Sequence, residues 1–201
     1  MRRNRIFFGI GFLSLAGLVA LAMWGAAKGR PKAGTSNPPV YTADGKLVLP
    51  GNYRDWVFLT SGFGMNYSNG GGSNPMFTNV FATPEAYRGF QQTGKWPDKS
   101  MFIVEIYAPA SHGSINKAGH YQDKFQGLDV EVKDRSQPNE WSYYNFDPAA
   151  TSAKALSGGC NKCHSDNGAV EHTFVQFYPT LRDIAIEKGV VKPGTGIPLT
   201  H

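Results

Sequence analysis

The most regular alternation in the chain is Leu128-Asp129-Val130-Glu131-Val132-Lys133, apolar and polar by turns, which predicts a strand with one face covered and the other in water. Met101-Phe102-Ile103-Val104-Glu105-Ile106-Tyr107 is almost continuously apolar and β-favouring, the pattern of a strand covered on both faces. Phe77 to Ala82 predicts another strand, and Trp141 to Phe146, after a Pro138-Asn139 turn, a further one. Thr83-Pro84-Glu85 carries the signals of a helix start: a cap, a proline at the first helical position and an acid in the first turn. That helix should run through Ala86, Tyr87 and Phe90 and stop at Gly94, which suits a left-handed cap. Asn52 to Leu59 predicts a short helical turn leading into β structure, Ser68 to Asn74 a glycine-dense loop, and Pro109 to Gln126 a polar loop. Phe174, Phe177, Tyr178, Leu181, Ile184 and Ala185 keep helical spacing, with Pro179 kinking that helix or marking its start. The sum is an α+β domain, mainly antiparallel sheet with a few helices.

The ends of the chain have a different composition. Arginines at 2, 3 and 5 precede an uncharged run from Ile6 to Ala27, then Lys28, Arg30 and Lys32 follow. Residues 1–33 therefore read as a signal peptide or an N-terminal membrane anchor. The run is longer than the ~7–15 residues of a signal-peptide core and close to the ~20 that span a bilayer. Either way the body is delivered outside the cytoplasm, to a periplasmic location, anchored to the inner membrane if the segment is retained. Residues 34–39 read as a linker, 40–190 as one folded domain, and 191–201, rich in Gly and Pro, as a flexible tail. The leader also explains the formal charge of +5: it holds six of the 20 basic residues and no acidic one, leaving 14 basic against 15 acidic. A nucleic-acid role loses its electrostatic basis.

Both cysteines lie in Gly159-Cys160-Asn161-Lys162-Cys163-His164, a C-x-x-C-H run. This is the attachment signature of one covalent c-type haem near the C-terminus. Thiols one helical turn apart can each bond a vinyl edge of one porphyrin, and the next residue carries the imidazole for the iron. A redox dithiol would want a thioredoxin-like βαβ setting, and a zinc site four tetrahedral ligands. Export to an oxidising compartment agrees with haem, because attachment consumes both thiols.

Leu49-Pro50-x-Asn52-Tyr53-Arg54-x-Trp56-Val57, Pro84-Glu85-x-Tyr87, Gly127-Leu128-x-x-x-Val132-Lys133-Asp134, the Trp141 strand, and Cys160 to His164 followed by Phe174-Val175-x-Phe177-Tyr178-Pro179-x-Leu181 occur in this order. Together they resemble cytochrome P-460 and the beta-type cytochromes c-prime over nearly the whole mature chain. The resemblance implies a mainly antiparallel β fold, a homodimer, and a five-coordinate haem with His164 as proximal ligand and an open distal side. The enzymes of that family oxidise hydroxylamine and carry a lysine cross-linked to the porphyrin; its position here is Val104. Where they place an arginine, this chain has Thr78, with Lys95, Lys99 and Lys117 nearby in sequence. Asp129 falls where they hold a carboxylate beside the ligand, which would make it a proton relay. From alternation alone, Asp129 shares a solvated face with Glu131 and Lys133.

Three functions follow as expectations: a haem protein binding a small gaseous or nitrogenous ligand such as nitric oxide, an oxidoreductase acting on hydroxylamine or nitric oxide, and a membrane-tethered electron carrier with a redox partner protein. The carrier needs a sixth ligand, for which Met65, Met76 and Met101 are candidates, or else His112 and His120. Glu105, inside an apolar strand, needs a partner, and His172 is expected on the helix that supports the haem.

Overall fold

The protein is described by a computed structural model covering residues 37–65 and 74–197. The expected leader 1–33, most of the loop Ser68–Asn74 and the last four residues lie outside the described residues. Among the described residues no helix is long and apolar enough to cross a membrane.

Five strands form one antiparallel sheet in sequence order: β2 (Val57–Phe63), β3 (Phe77–Ala82), β4 (Met101–Ala110), β5 (Tyr121–Lys133) and β6 (Trp141–Phe146). Two short strands, β1 (Leu47–Val48) and β7 (Ser152–Ala153), pair separately. Helices α1 (Pro84–Thr93), α2 (Cys160–Asn167) and α3 (Pro179–Glu187) complete an α+β fold. The helix expected after Thr83 ends as its sequence predicts, with Gly94 left-handed at φ 71°. Thr83 itself makes no side-chain cap; only its carbonyl takes part, accepting from the Tyr87 amide. Pro179 is the start of α3 and not a kink, and Val175–Phe177 forms a separate 3-10 turn.

Two corrections concern β4 and β5. The polar stretch from Pro109 to Gln126 is loop only at 111–120, because β4 continues to Ala110 and pairs with Tyr121 through a register shift near Pro109. The alternation of Leu128 to Lys133 does not separate core from solvent. Leu128, Val130 and Val132 join Ile103, Phe146 and Leu47 in a core on one side of the sheet, under the β1–β7 pair. On the opposite side Glu131 is 8 % exposed and Lys133 only 1 %. That second side is packed by α1, α3 and the residues around α2, through Phe90, Trp96, Val175 and Leu181. Both faces of β5 are covered from Leu128 onward, so Glu131 and Lys133 point into the protein.

The stretch beyond Gly189 also packs. Ile197 is 8 % exposed and belongs to the core beneath α3, and the Lys192 amide donates to the Ala169 carbonyl at 2.8 Å. The expected tail is thus part of the fold through residue 197.

Candidate functional site

The haem motif forms α2, a helix with no buried residue. A helix without an apolar face gains little from packing, and polar contacts hold this one. Lys192 Nζ donates to the Ser165 and Asp166 carbonyls at 2.7 and 2.8 Å, supplying a cation and donors to the C-terminal end where carbonyls lack partners. Gln176 Nε2 donates to the Asn167 carbonyl at 2.8 Å. Cys160 and Cys163, one turn apart, line one wall of a cavity of about 500 Å³, together with His164. Facing strands contribute Val80, Val104, Ile106, Asp129, Glu131 and Tyr143 to the same cavity.

His164 is fixed on three sides. Its ring lies 4.6 Å from the Tyr143 ring and 4.7 Å from the Phe174 ring. Its Nδ1 is 2.9 Å from the His172 carbonyl oxygen. A carbonyl only accepts, so Nδ1 carries the proton and Nε2 keeps the lone pair that a metal requires. Gly168 permits this approach: a Cβ there would stand 2.6 Å from the His164 carbonyl oxygen and 2.8 Å from the His172 carbonyl carbon. Glu131 Oε1 sits 3.7 Å from Nδ1, but the contact is not an ion pair. Burial, with the Asp129 charge adding to it, pushes the Glu131 carboxyl up to about 8, and burial lowers His164, against the opposing pull of the His172 carbonyl. Both groups are held neutral near pH 7.

These residues fit a c-type haem. The thiols and the imidazole are on one short helix, Nε2 has a free lone pair, and the cavity size is in the ~300–1,000 Å³ range of cofactor sites. Met65, Leu156 and Phe177 are exposed apolar residues on the cavity lining, surface that an apolar cofactor would cover. Tyr143 supplies a further sign: its buried hydroxyl has no hydrogen-bond partner among the described residues. The sheet is antiparallel, so the dithiol lacks its βαβ setting.

Sequence candidates separate in space. Val104 and Asp129 both reach the cavity, and Asp129 accepts a hydrogen bond from Asn145 Nδ2 at 2.8 Å. Thr78, Met65 and Met76 also line it. Met101 is buried in the core on the opposite face of the sheet and cannot be an axial ligand. Lys95, Lys99 and Lys117 are exposed and lie outside the cavity lining, with Lys99 paired to Asp134 at 2.6 Å. The His120 ring lies tilted against that of Phe63 at 5.0 Å, also outside that lining, as is His112. Glu105 has its partner in Arg54, at 2.8 Å, with the Tyr53 hydroxyl donating to the same oxygen at 2.8 Å. His172 is on no helix; it sits in a turn with φ 70°, and it is its backbone carbonyl that meets His164. Sequence reasoning did not single out Tyr143, Glu131 or Phe174 as site residues, since nothing local distinguishes them from core or surface.

A family model described as Cytochrome P460 matches residues 50–175, a span that includes the five strands, α2 and the C-x-x-C-H run. No curated protein matches the chain.

Proposed function

The chain belongs to the cytochrome P460 family and so is a c-type cytochrome; on that premise we propose that it is an exported mono-haem protein whose five-coordinate haem binds small nitrogen ligands such as nitric oxide. Cys160 and Cys163 would hold the porphyrin through two thioethers and His164 would ligate the iron. When bound, the haem supplies an iron that takes a diatomic ligand and changes redox state. The protein's residues decide what reaches it.

The observation that carries the reading is the composition of the cavity wall. Among the described residues it contains no lysine or arginine, and its ionisable groups apart from the cysteines, tyrosines and His164 are the carboxyls of Asp129 and Glu131. A wall of Val80, Val104 and Ile106 with the Asp129 carboxylate among its lining residues disfavours anions and leaves neutral ligands as the preferred class. Asp129, held by Asn145, is the group able to move a proton in the oxidoreductase alternative. The electron-carrier alternative draws on Met65 and Met76, the two thioethers at the cavity. Export of the body by residues 1–33, a periplasmic address and a homodimer complete the proposal; they rest on the sequence and the family resemblance.

The test is an absorption spectrum of protein matured by a haem-attaching host, in both redox states. A high-spin ferrous spectrum that changes on adding nitric oxide is the expected result. A low-spin ferrous form that ignores carbon monoxide would replace this reading with the electron carrier, and a bare polypeptide mass would remove haem altogether.

A further inference from the structure

We propose that the pair of buried Lys133 and half-buried Glu171 is a positioning device for the iron ligand: it holds the turn that presents the His172 carbonyl to Nδ1 of His164, and through that bond tunes the imidazole. The inference rests on the reading of His164 as the haem ligand and deepens it.

Lys133 is the last residue of β5 and the most deeply buried charge in the described protein, 1 % exposed. Its Nζ donates to Glu171 Oε2 at 2.9 Å and to the Trp96 carbonyl at 3.0 Å. The same carboxylate oxygen accepts the Trp96 amide at 2.8 Å. Trp96 then fixes the other end of the turn, with Nε1 donating to Thr173 Oγ1 at 2.8 Å, and Thr173 Oγ1 donating to the Val170 carbonyl at 2.6 Å. Residues 170–173 are therefore gripped from both sides by the sheet and its core tryptophan.

The grip has something to hold. Glu171 and His172 are consecutive, carry Cβ atoms, and have φ of 43° and 70°. Side-chain-bearing residues avoid this left-handed region, and two in succession persist only when their surroundings impose it. The His172 ring is turned to Asn161, Nδ1 to Oδ1 at 3.0 Å, and stacks on Trp141. What the turn offers the cavity is the His172 carbonyl, 2.9 Å from His164 Nδ1. A hydrogen bond accepted from Nδ1–H makes the opposite nitrogen a stronger donor to a metal and fixes the ring's orientation. The more basic ligand favours the oxidised metal, so a firmly held carbonyl lowers the reduction potential.

The experiment uses the haem-bearing protein and two readings: the reduction potential and the ferrous iron–histidine stretching band in resonance Raman. Lys133→Met combined with Glu171→Ala removes both partners and strands no buried charge. It should raise the potential and shift the band to lower frequency. Glu171→Gln, which retains an acceptor oxygen for Lys133 and Trp96, should stay near wild type in both. Should the double variant not accumulate, Lys133→Met combined with Glu171→Gly, which suits the left-handed backbone and again strands no buried charge, should move both readings in the same directions. Leu181→Ala, which loosens the same core without touching the turn, should lower the melting temperature and leave both readings alone. If the pair variants melt earlier but keep the wild-type potential and band, the pair is only structural and the proposal is overturned while the haem reading stands. If wild-type protein carries no haem, both fall.

Discussion

Val104 and Asp129 stand directly opposite each other on β4 and β5, and both side chains line the cavity. The position matched to the enzymes' lysine and the position matched to their acid are thus a single cross-strand pair, close enough to interact. Val104→Lys would bring an ammonium group against the Asp129 carboxylate and place a cation on a wall that has none. Cyanide binding to the ferric protein should tighten by about tenfold, roughly 1.4 kcal/mol, as read by optical titration. An unchanged affinity would show that residue 104 does not face the ligand.

Asp129→Asn keeps the shape of the side chain and the neighbourhood of Asn145 while removing the proton acceptor. If the oxidoreductase alternative is right, hydroxylamine oxidation with an artificial acceptor drops by about 10²-fold or more. Nitric oxide binding to the ferrous protein, which transfers no proton, changes little. Equal losses in both assays would mean that Asp129 shapes the cavity and relays nothing.

The C-x-x-C-H run was legible because it is written in adjacent letters, and the start of α1 at Pro84 and its stop at Gly94 because these signals are local. Asp129, Glu131 and Lys133 show where legibility ended. Alternation tells which side chains share a face but not whether water or protein meets that face. Here the polar face turns inward toward the cavity and the Glu171 turn, information that exists only after α2 and residues 170–173 have folded over the sheet. The hairpin ends at Ala110 and Tyr121 were hidden for a related reason. Their pairing is made by backbone groups, which a proline and exposed polar residues disguise. The left-handed Glu171 and His172 have no signature at all, since neither is the glycine that such a backbone favours.

Gly168 is the tightest point of the site. Its φ of −68° is open to any residue, so the constraint is space: a Cβ would lie 2.6 to 2.9 Å from backbone atoms of residues 164, 172 and 173. Backbone cannot yield as a flexible side chain does. Gly168→Ala should cost about 2 kcal/mol or more, seen in thermal melts, and should weaken the His164–His172 bond, seen as a raised reduction potential. A wild-type melting curve would show that the turn is not packed against α2.

Acid stability has one identifiable contributor at the end of β5. Lys99, with Ser136, holds the Asp134 carboxyl at about 2, below its ordinary 3.8. Because the folded value lies below the unfolded one, the contribution is complete above about pH 4 and is lost as pH falls through 2. Asp134→Asn should therefore cost about 1 kcal/mol at pH 7, a figure reduced for the exposure of Lys99, and nothing at pH 2. Melts at the two pH values measure the difference, and a cost that persists at pH 2 would assign it to turn geometry and not to charge.

Tyr143 gives a test that separates a cavity built for a guest from one that is merely imperfect. Its hydroxyl is buried and has no partner among the described residues, and burial raises its pKa, so it remains a neutral donor. An unpaired buried hydroxyl costs on the order of 1–3 kcal/mol. In protein made without haem attachment, Tyr143→Phe removes that cost and should stabilise by about 1 kcal/mol. In the haem-bearing protein the hydroxyl, if taken up by an acceptor on the porphyrin, becomes an asset, and the same substitution should destabilise by a similar amount. The sign of the change in melting temperature must therefore reverse between the two forms. Equal stabilisation in both would mean that the hydroxyl never finds a partner, and that the fit of the cavity to haem rests on the thiols, the imidazole and the apolar wall alone.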